Sequence, residues 1–214
     1  MKTQKPSPKA LKKSLEILTE TYPDWRTELT YESPFQLIIA VILSAQCTSA
    51  QVNKTTPALF KKYPTAETMA KAPLRDLEKL VHSCGFYHMK AKAILKTSQS
   101  ILEKFDGEVP GTLEELVTLA GVGRKTASVV LNQAFDVPAI AVDTHVARVS
   151  QRLGWAKSKD PVKIEFELRE LLPEEWWTRA NGTMILHGRR ICSAKKPKCP
   201  ECPLAKYCAS YPIV

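Results

Sequence analysis

Apolar residues along this chain recur at helical spacing almost from end to end. Leu11, Leu15 and Leu18 share one face of a first helix that must stop before Pro23. Ser33 followed by Pro34 reads as a cap and a first-turn proline, opening an apolar helix through Leu37 to Leu43. Pro73 opens another, with Leu74, Leu77 and Val81 turned inward and Gly85 as its stop. Ala91, Ile94, Leu95, Ser98 and Leu102 keep the same period in a helix that ends near Gly107. Thr112 with Glu115 predicts a capping box for a helix carrying Leu113, Leu116 and Val117. Gly121-Val122-Gly123 then breaks the chain, and a helix resumes from Lys125 to Ala134. Asp143 stands at an N-cap position ahead of a helix to about Leu153, and Asp160-Pro161 starts one more that Pro173 ends. No alternating strand pattern and no fixed-period repeat interrupts this, so the fold class is all-α. The Lys/Pro-rich first nine residues read as a mobile tail.

Composition narrows the picture. With 214 residues, 44% of them apolar, the chain can bury one large core or two compact ones, so disorder is not the default reading. Lys and Arg number 31 against 22 Asp and Glu, a net charge of +9 that favours polyanionic partners, nucleic acid first. The longest apolar run, Leu37 to Leu43, is far short of the roughly 20 residues a membrane span needs. No signal-peptide pattern follows the N-terminal lysines, so the expected location is the cytoplasm, with no membrane partner. Disulfides are not expected in that reducing setting, and the six cysteines need another explanation.

Four of them, Cys192, Cys199, Cys202 and Cys208, follow the spacing C-x6-C-x2-C-x5-C. Their neighbours (Lys195, Lys196, Pro197, Lys198, Pro200, Pro203) offer little core in which to bury ordinary thiols, so metal ligation is the better reading. On spacing, zinc and an iron–sulfur cluster both stay open; the single C-x2-C knuckle and the wide flanking gaps lean toward the cluster. Arg189, Arg190, Lys195, Lys196, Lys198 and Lys206 surround these cysteines, and a metal-pinned loop would present such cations rigidly to phosphates. A merely solvated basic face is the plainer alternative.

The second constellation is Leu119-Ala120-Gly121-Val122-Gly123-Arg124-Lys125-Thr126-Ala127. Arg124 separates Gly123 from Lys125, which excludes a phosphate-binding P-loop, and Thr126 stands where a dinucleotide fingerprint needs its third glycine. What remains is a helix–hairpin–helix, whose exposed N–H groups can hold a DNA phosphate without reading sequence. Lys125 falls in the first turn of the second helix, where the dipole, Arg124 and partial burial would favour a neutral, nucleophilic amine. A phosphate-contacting lysine fits the same position equally well. In Val142-Asp143-Thr144-His145-Val146, Asp143 is an N-cap or a carboxylate that stabilises charge and moves protons. His145 reads as a DNA-side contact.

These segments, with Leu43-Ser44-Ala45-Gln46 and Leu186-His187-Gly188-Arg189 leading into the cysteines, resemble the endonuclease III family of helix–hairpin–helix DNA glycosylase/AP lyases. The likeness spans nearly the whole chain from Ser33-Pro34-Phe35 onward, and its specificity lies in four motifs in order. It implies a two-domain all-α fold: a six-helix barrel domain over 27–137 and an iron–sulfur domain over 138–214 completed by an N-terminal helix over 10–26, with DNA in the cleft between. It implies that Lys125 attacks the sugar C1′ of a flipped-out damaged nucleotide with help from Asp143, and that the Schiff base undergoes β-elimination 3′ to the lesion. It also implies a [4Fe–4S] cluster on Cys192, Cys199, Cys202 and Cys208. The expected partner is double-stranded DNA with oxidised pyrimidines or abasic sites, bound by a monomer. DNA contacts are expected at Gln46, filling the gap left by the flipped base, at Phe86, wedging into the stack, and at Gly121, Val122, Gly123, Arg124, Thr126, His145, Arg148 and Arg189.

Three positions depart from the family pattern: Ser49 stands where Asp is usual, Ala120 replaces a proline, and Phe86 is bulkier than the common leucine. The first bears on base recognition more than on lysine chemistry. Cys47 and Cys84 read as buried structural thiols. The competing readings are a thymine, uracil or adenine mismatch glycosylase of the same superfamily and a non-catalytic iron–sulfur DNA-binding protein. Lys125 argues against the adenine branch, which typically lacks that residue. Lys125 and Asp143 together argue against the non-catalytic reading.

Overall fold

The computed structural model describes residues 5–212. Among them there is no strand; the α-helices are α1 (Pro8–Thr21), α2 (Pro34–Leu43), α3 (Ser49–Lys62), α4 (Ala66–Ala70), α5 (Leu74–Val81), α6 (Tyr87–Phe105), α7 (Leu113–Leu116), α8 (Arg124–Ala134), α9 (Thr144–Leu153), α10 (Pro161–Leu171) and α11 (Trp177–Arg190). Short 3-10 turns join several of them. The chain separates into two compact units: Thr27–Val137 carries α2 to α8, while the segments up to Arg26 and from Pro138 together carry α1 and α9 to α11.

Local chemistry accounts for most helix starts. Ser33 accepts from the Gln36 N–H at 3.2 Å and Pro34 follows as a first-turn proline. Asp160 caps α10 through the Lys163 N–H at 2.9 Å. Ser7-Pro8 repeats the Ser33-Pro34 device, with Ser7 accepting from the Ala10 N–H, so Pro8 and Lys9 belong to α1 and not to a tail. Residues 1–4 of that expected tail lie outside the described residues. At α7 the expected capping box is only half present. Thr112 accepts from the Glu115 N–H, but the Glu115 carboxylate accepts from the Thr112 hydroxyl at 2.6 Å in place of a backbone N–H. Val117 lies past the end of α7, 42% exposed.

The unit Thr27–Val137 is built on α2, whose Leu37, Ile38, Ile39, Ala40, Ile42 and Leu43 are all buried. An all-round apolar helix must be covered on every side, and α8 packs on it with Ala127, Val130 and Leu131 inward. Each Val, Leu or Ile side chain so withdrawn from water stabilises the fold by about 1.5–3 kcal/mol. Along α6 the buried face runs through Ala91, Ile94, Thr97, Ser98 and Ile101, while Leu95 and Leu102, expected inside, are half-buried. Leu74 of α5 is likewise half-buried, beside fully buried Leu77 and Val81. Helix α3 has no clear apolar stripe in sequence because two of its four buried positions are Thr55 and Thr56, and Pro57 lies inside it.

The other unit packs Leu11, Leu15, Leu18 and Tyr22 of the N-terminal segment against Met184 and Leu186 of α11 and Val146, Val149 and Leu153 of α9. Helix α11 lacks an amphipathic stripe; its buried residues include Asn181, Gly182, Thr183, His187 and Gly188. Two of these are glycines because neighbours come too close for a side chain. A Cβ on Gly182 would collide with the Trp25 carbonyl oxygen, and one on Gly188 would lie 2.8 Å from the His145 Cβ. Among the described residues, no helix is long and apolar enough to cross a membrane.

Candidate active site and metal centre

The glycine hairpin between α7 and α8 is held from below by α6. Thr97 Oγ1 donates to the Ala120 carbonyl at 2.5 Å, Lys104 Nζ to the Thr118 carbonyl at 3.1 Å, and the Ala120 N–H to Ser100 Oγ at 3.5 Å. The last bond uses an N–H that a proline at position 120 would lack. Gly121 adopts φ +83°, a left-handed conformation glycine takes without strain, and Val122 is buried as the hairpin's anchor. Gly123 is the N-cap of α8 and, having no side chain, supplies no side-chain cap. Arg124 and Thr126 are half-buried, and Lys125 is exposed. The partial burial expected of Lys125 is not seen: the side chain is instead open to solvent in the first turn of α8.

Asp143 caps α9, and both of its bonds fall on one oxygen: Oδ1 accepts from the His145 N–H at 2.9 Å and the Val146 N–H at 2.7 Å. The second oxygen takes no part in the cap. Capping and chemistry are thus compatible on a single carboxylate. Arg148, expected at DNA, makes four hydrogen bonds within the protein. Its Nε donates to the Cys192 carbonyl at 2.9 Å, and its terminal nitrogens contact the Thr144 and Gly188 carbonyls and His145 Nδ1. With four of five N–H groups so engaged, Arg148 is a clamp between α9 and the start of the cysteine loop. His145 is half-buried against Gly188, and Arg189 is exposed.

Cys192, Cys199, Cys202 and Cys208 all line one cleft of about 360 Å³, part of it open to solvent, together with Val149, Leu153, Ile191 and Pro197. All four thiols are unpaired and half-buried. Four soft thiolate donors lining one cleft suit an iron–sulfur cluster. Burial pushes the Cys202 and Cys208 thiols above their ordinary range, so a group that binds them as thiolates displaces protons on binding.

The surroundings of the cleft hold residues that sequence reasoning missed. Arg152, one turn along α9 from Arg148, donates to Cys192 Sγ at 3.2 Å and to the Ser193 and Ala194 carbonyls at 2.7 and 3.0 Å. Its own carbonyl accepts from the Cys208 thiol at 3.3 Å. The i, i+4 spacing of two arginines was the available signal. Buried His187 shares a 2.9 Å hydrogen bond with the Tyr22 hydroxyl through Nδ1, and its Nε2 lies 3.7 Å from Cys202 Sγ. Burial lowers the His187 pKa to about 4, so the ring is neutral at neutral pH, whichever nitrogen carries the proton. Lys195, Lys196, Lys198 and Lys206 are exposed on the loop, as the basic-patch reading needs, while Arg190 pairs with Asp24 at 2.6 Å.

In the unit Thr27–Val137, Gln46 and Phe86 share an unusual state. Both are non-glycine residues in the left-handed region, at φ 51° and 48°, and both are exposed, Phe86 to 63%. Phe86 therefore does not pack a helix end as a core aromatic would. Left-handed backbone at a bulky residue costs on the order of 1–3 kcal/mol and persists only where its surroundings enforce it. Ser49, in place of the usual Asp, is the first residue of α3, behind the Thr48 cap.

Comparison with known proteins agrees with this architecture. Residues 39–174 match the model of the HhH-GPD superfamily base excision DNA repair proteins, and residues 192–208 match the iron–sulfur binding domain of endonuclease III. The endonuclease III of Synechocystis sp. is 51% identical over 195 residues, 91% of this chain and 89% of the relative. That of Bacillus subtilis is 48% identical over the same length and coverage. A solved structure of a trapped endonuclease III–DNA covalent intermediate superposes with a TM-score of 0.89 at 45% identity, covering 95% of this chain and 96% of that one. The chain belongs to the HhH-GPD superfamily of base excision DNA repair proteins and, within it, to the endonuclease III family. It is a bifunctional DNA glycosylase/AP lyase with a [4Fe–4S] cluster as its cofactor.

Proposed function

We propose that this enzyme binds double-stranded DNA and excises oxidised pyrimidines, with Lys125 as nucleophile and Asp143 as the assisting carboxylate. The observation that carries this reading is the placement of Lys125, exposed in the first turn of α8 directly behind the glycine hairpin. A related endonuclease III has been trapped as a covalent intermediate with DNA, which supports an enzyme nucleophile in the same family. The neutral Lys125 amine attacks C1′, the C1′–N bond breaks, and the damaged base leaves with the bonding electrons and gains a proton. Loss of the amine proton and ring opening give the Schiff base. Removal of a C2′ proton then expels the 3′ phosphate oxygen, and water releases the lysine. Asp143 stabilises positive charge developing on the sugar and carries protons to and from the amine.

The residues proposed to position DNA divide by type. The hairpin glycines, Val122 and Arg124 offer backbone N–H groups and a cation to phosphates. Gln46 and Phe86 are proposed for the space in the stack and the wedge. Cys192, Cys199, Cys202 and Cys208 are the proposed ligands of the cluster, which when bound pins the loop bearing Lys195, Lys196 and Lys198. The cluster takes no part in bond breaking in this scheme. The unit Thr27–Val137 is proposed as the barrel domain and the remainder as the iron–sulfur domain.

The test is borohydride trapping on duplexes containing thymine glycol or an abasic site, with Lys125→Ala alongside. A covalent adduct and strand cleavage from the parent protein on both duplexes, lost in the variant, support the reading. Trapping on the abasic duplex alone would mean that the base pocket, altered at Ser49, accepts another base. Trapping on neither, with DNA affinity and cluster intact, would refute the assigned nucleophile.

A further inference from the structure

We propose that His187 is a positioning residue for the iron–sulfur cluster: its Nε2–H donates to the Cys202 thiolate, and the Tyr22 hydroxyl, donating to Nδ1, holds the ring in that tautomer. The inference rests on the assignment of Cys202 as a cluster ligand. His187 and Tyr22 are each 2% exposed. The Tyr22 hydroxyl lies 2.9 Å from His187 Nδ1, and His187 Nε2 lies 3.7 Å from Cys202 Sγ. The two rings meet edge to face, with centroids 5.8 Å apart. The same histidine holds a second cysteine through its backbone, since its carbonyl accepts from the Cys192 N–H at 2.8 Å. One residue of α11 thus contacts two of the four cysteines. Tyr22, 165 positions away in the chain, is itself held in place. It ends α1, where its N–H donates to the Leu18 carbonyl at 3.0 Å. Arg190 lies over its ring at 5.6 Å and pairs with Asp24 at 2.6 Å.

Proton counting fixes the direction of both bonds. A free Cys202 thiol has a proton and can donate to Nε2. A cysteine bound to iron is a thiolate and can only accept. Nε2 must then carry the single proton of the neutral ring, which leaves Nδ1 bare. A bare, buried Nδ1 needs a donor, and the Tyr22 hydroxyl supplies it. A histidine that merely filled core space would place no such demand, and phenylalanine at position 22 would serve as well. Hydrogen bonds to the residues that bind a metal fix their orientation, and removal of such a partner costs about 10–100-fold in metal affinity.

Holoenzyme carrying nitrogen-15 only in histidine is examined by NMR, which distinguishes a protonated ring nitrogen from a bare one. The chain has four histidines, and the His187 signals are assigned by elimination against His82→Gln, His88→Gln and His145→Gln. The expected result is a proton on Nε2 and none on Nδ1; a proton on Nδ1 overturns the proposal. Tyr22→Phe keeps the ring and removes the hydroxyl. Its iron should pass to a chelator about 10–100-fold faster than the parent's, and release at the parent's rate also overturns the proposal. The tautomer is read without that variant, so the test stands even where Tyr22→Phe fails to fold. Alkylation by iodoacetamide, mapped by mass spectrometry, tests the ligand assignment separately. Cys202 should react only after the cluster is stripped. Reaction in the intact holoenzyme refutes Cys202 as a ligand, whereas a protected Cys202 with the proton on Nδ1 refutes the role of His187 alone.

Discussion

Asp143 caps α9, the same carboxylate is proposed to serve the chemistry, and a pair of substitutions separates the two duties. Asp143→Asn keeps an oxygen at the Oδ1 position, so the bonds from the His145 and Val146 N–H groups, 2.9 and 2.7 Å, survive. Asp143→Ala removes both. Loss of an N-cap costs about 1 kcal/mol, and loss of a negative charge at a helix N-terminus roughly 0.3–1 kcal/mol more. The alanine variant is then destabilised by roughly 1–2 kcal/mol, or about 3–6 °C in Tm for a chain of this size. The asparagine variant loses only the charge contribution, about 1–3 °C. Activity divides differently, because neither side chain can accept a proton or carry charge. Both variants should lose about 10²–10⁴-fold in single-turnover cleavage of an abasic duplex, roughly 3–5 kcal/mol on the barrier. Thermal melts by circular dichroism and quenched-flow cleavage assays measure the two effects independently. An asparagine variant that cleaves within about threefold of the parent, under 1 kcal/mol, would refute the chemical role and leave Asp143 a cap.

Other consequences follow from the same geometry. Gly188→Ala sets a methyl 2.8 Å from the His145 Cβ; overpacking by about 1–3 kcal/mol exceeds the gain of about 1 kcal/mol in helix propensity, so Tm should fall. Met184→Ala, in the core shared by α1, α9 and α11, should cost about 2–5 kcal/mol in denaturant titrations. Oxidative removal of the cluster should open the segment 193–198 to limited proteolysis while Thr27–Val137 stays protected; equal cleavage of both would show that the cluster does more than pin its loop. Lys196→Ala and Lys198→Ala should weaken binding to unrelated duplexes alike and each reduce the log–log salt slope by about 0.9; an unchanged slope would remove these lysines from the phosphate contacts.

Helices that sequence alone delimits are those whose determinants are local. Ser33-Pro34 and Asp160-Pro161 announce their starts because cap and proline act within one turn, and Leu37 to Leu43 announces burial because nothing polar interrupts it. The cysteine spacing and the glycine hairpin are legible for a similar reason, since their ligands and turn residues lie close together in the chain. Helix α3 escaped because its buried face is half threonine, and α11 because its buried face uses glycine, asparagine and histidine. Those residues are inside only because Trp25, His145 and Tyr22 come from elsewhere to meet α11. Side-chain state lay further still from the sequence. The exposure of Lys125 and Phe86 and the commitment of Arg148 to backbone carbonyls each depend on residues brought near by packing. Spacing along a helix determines which positions share a face; what that face meets is decided only when distant segments close over it, because burial and hydrogen bonding are properties of the neighbours.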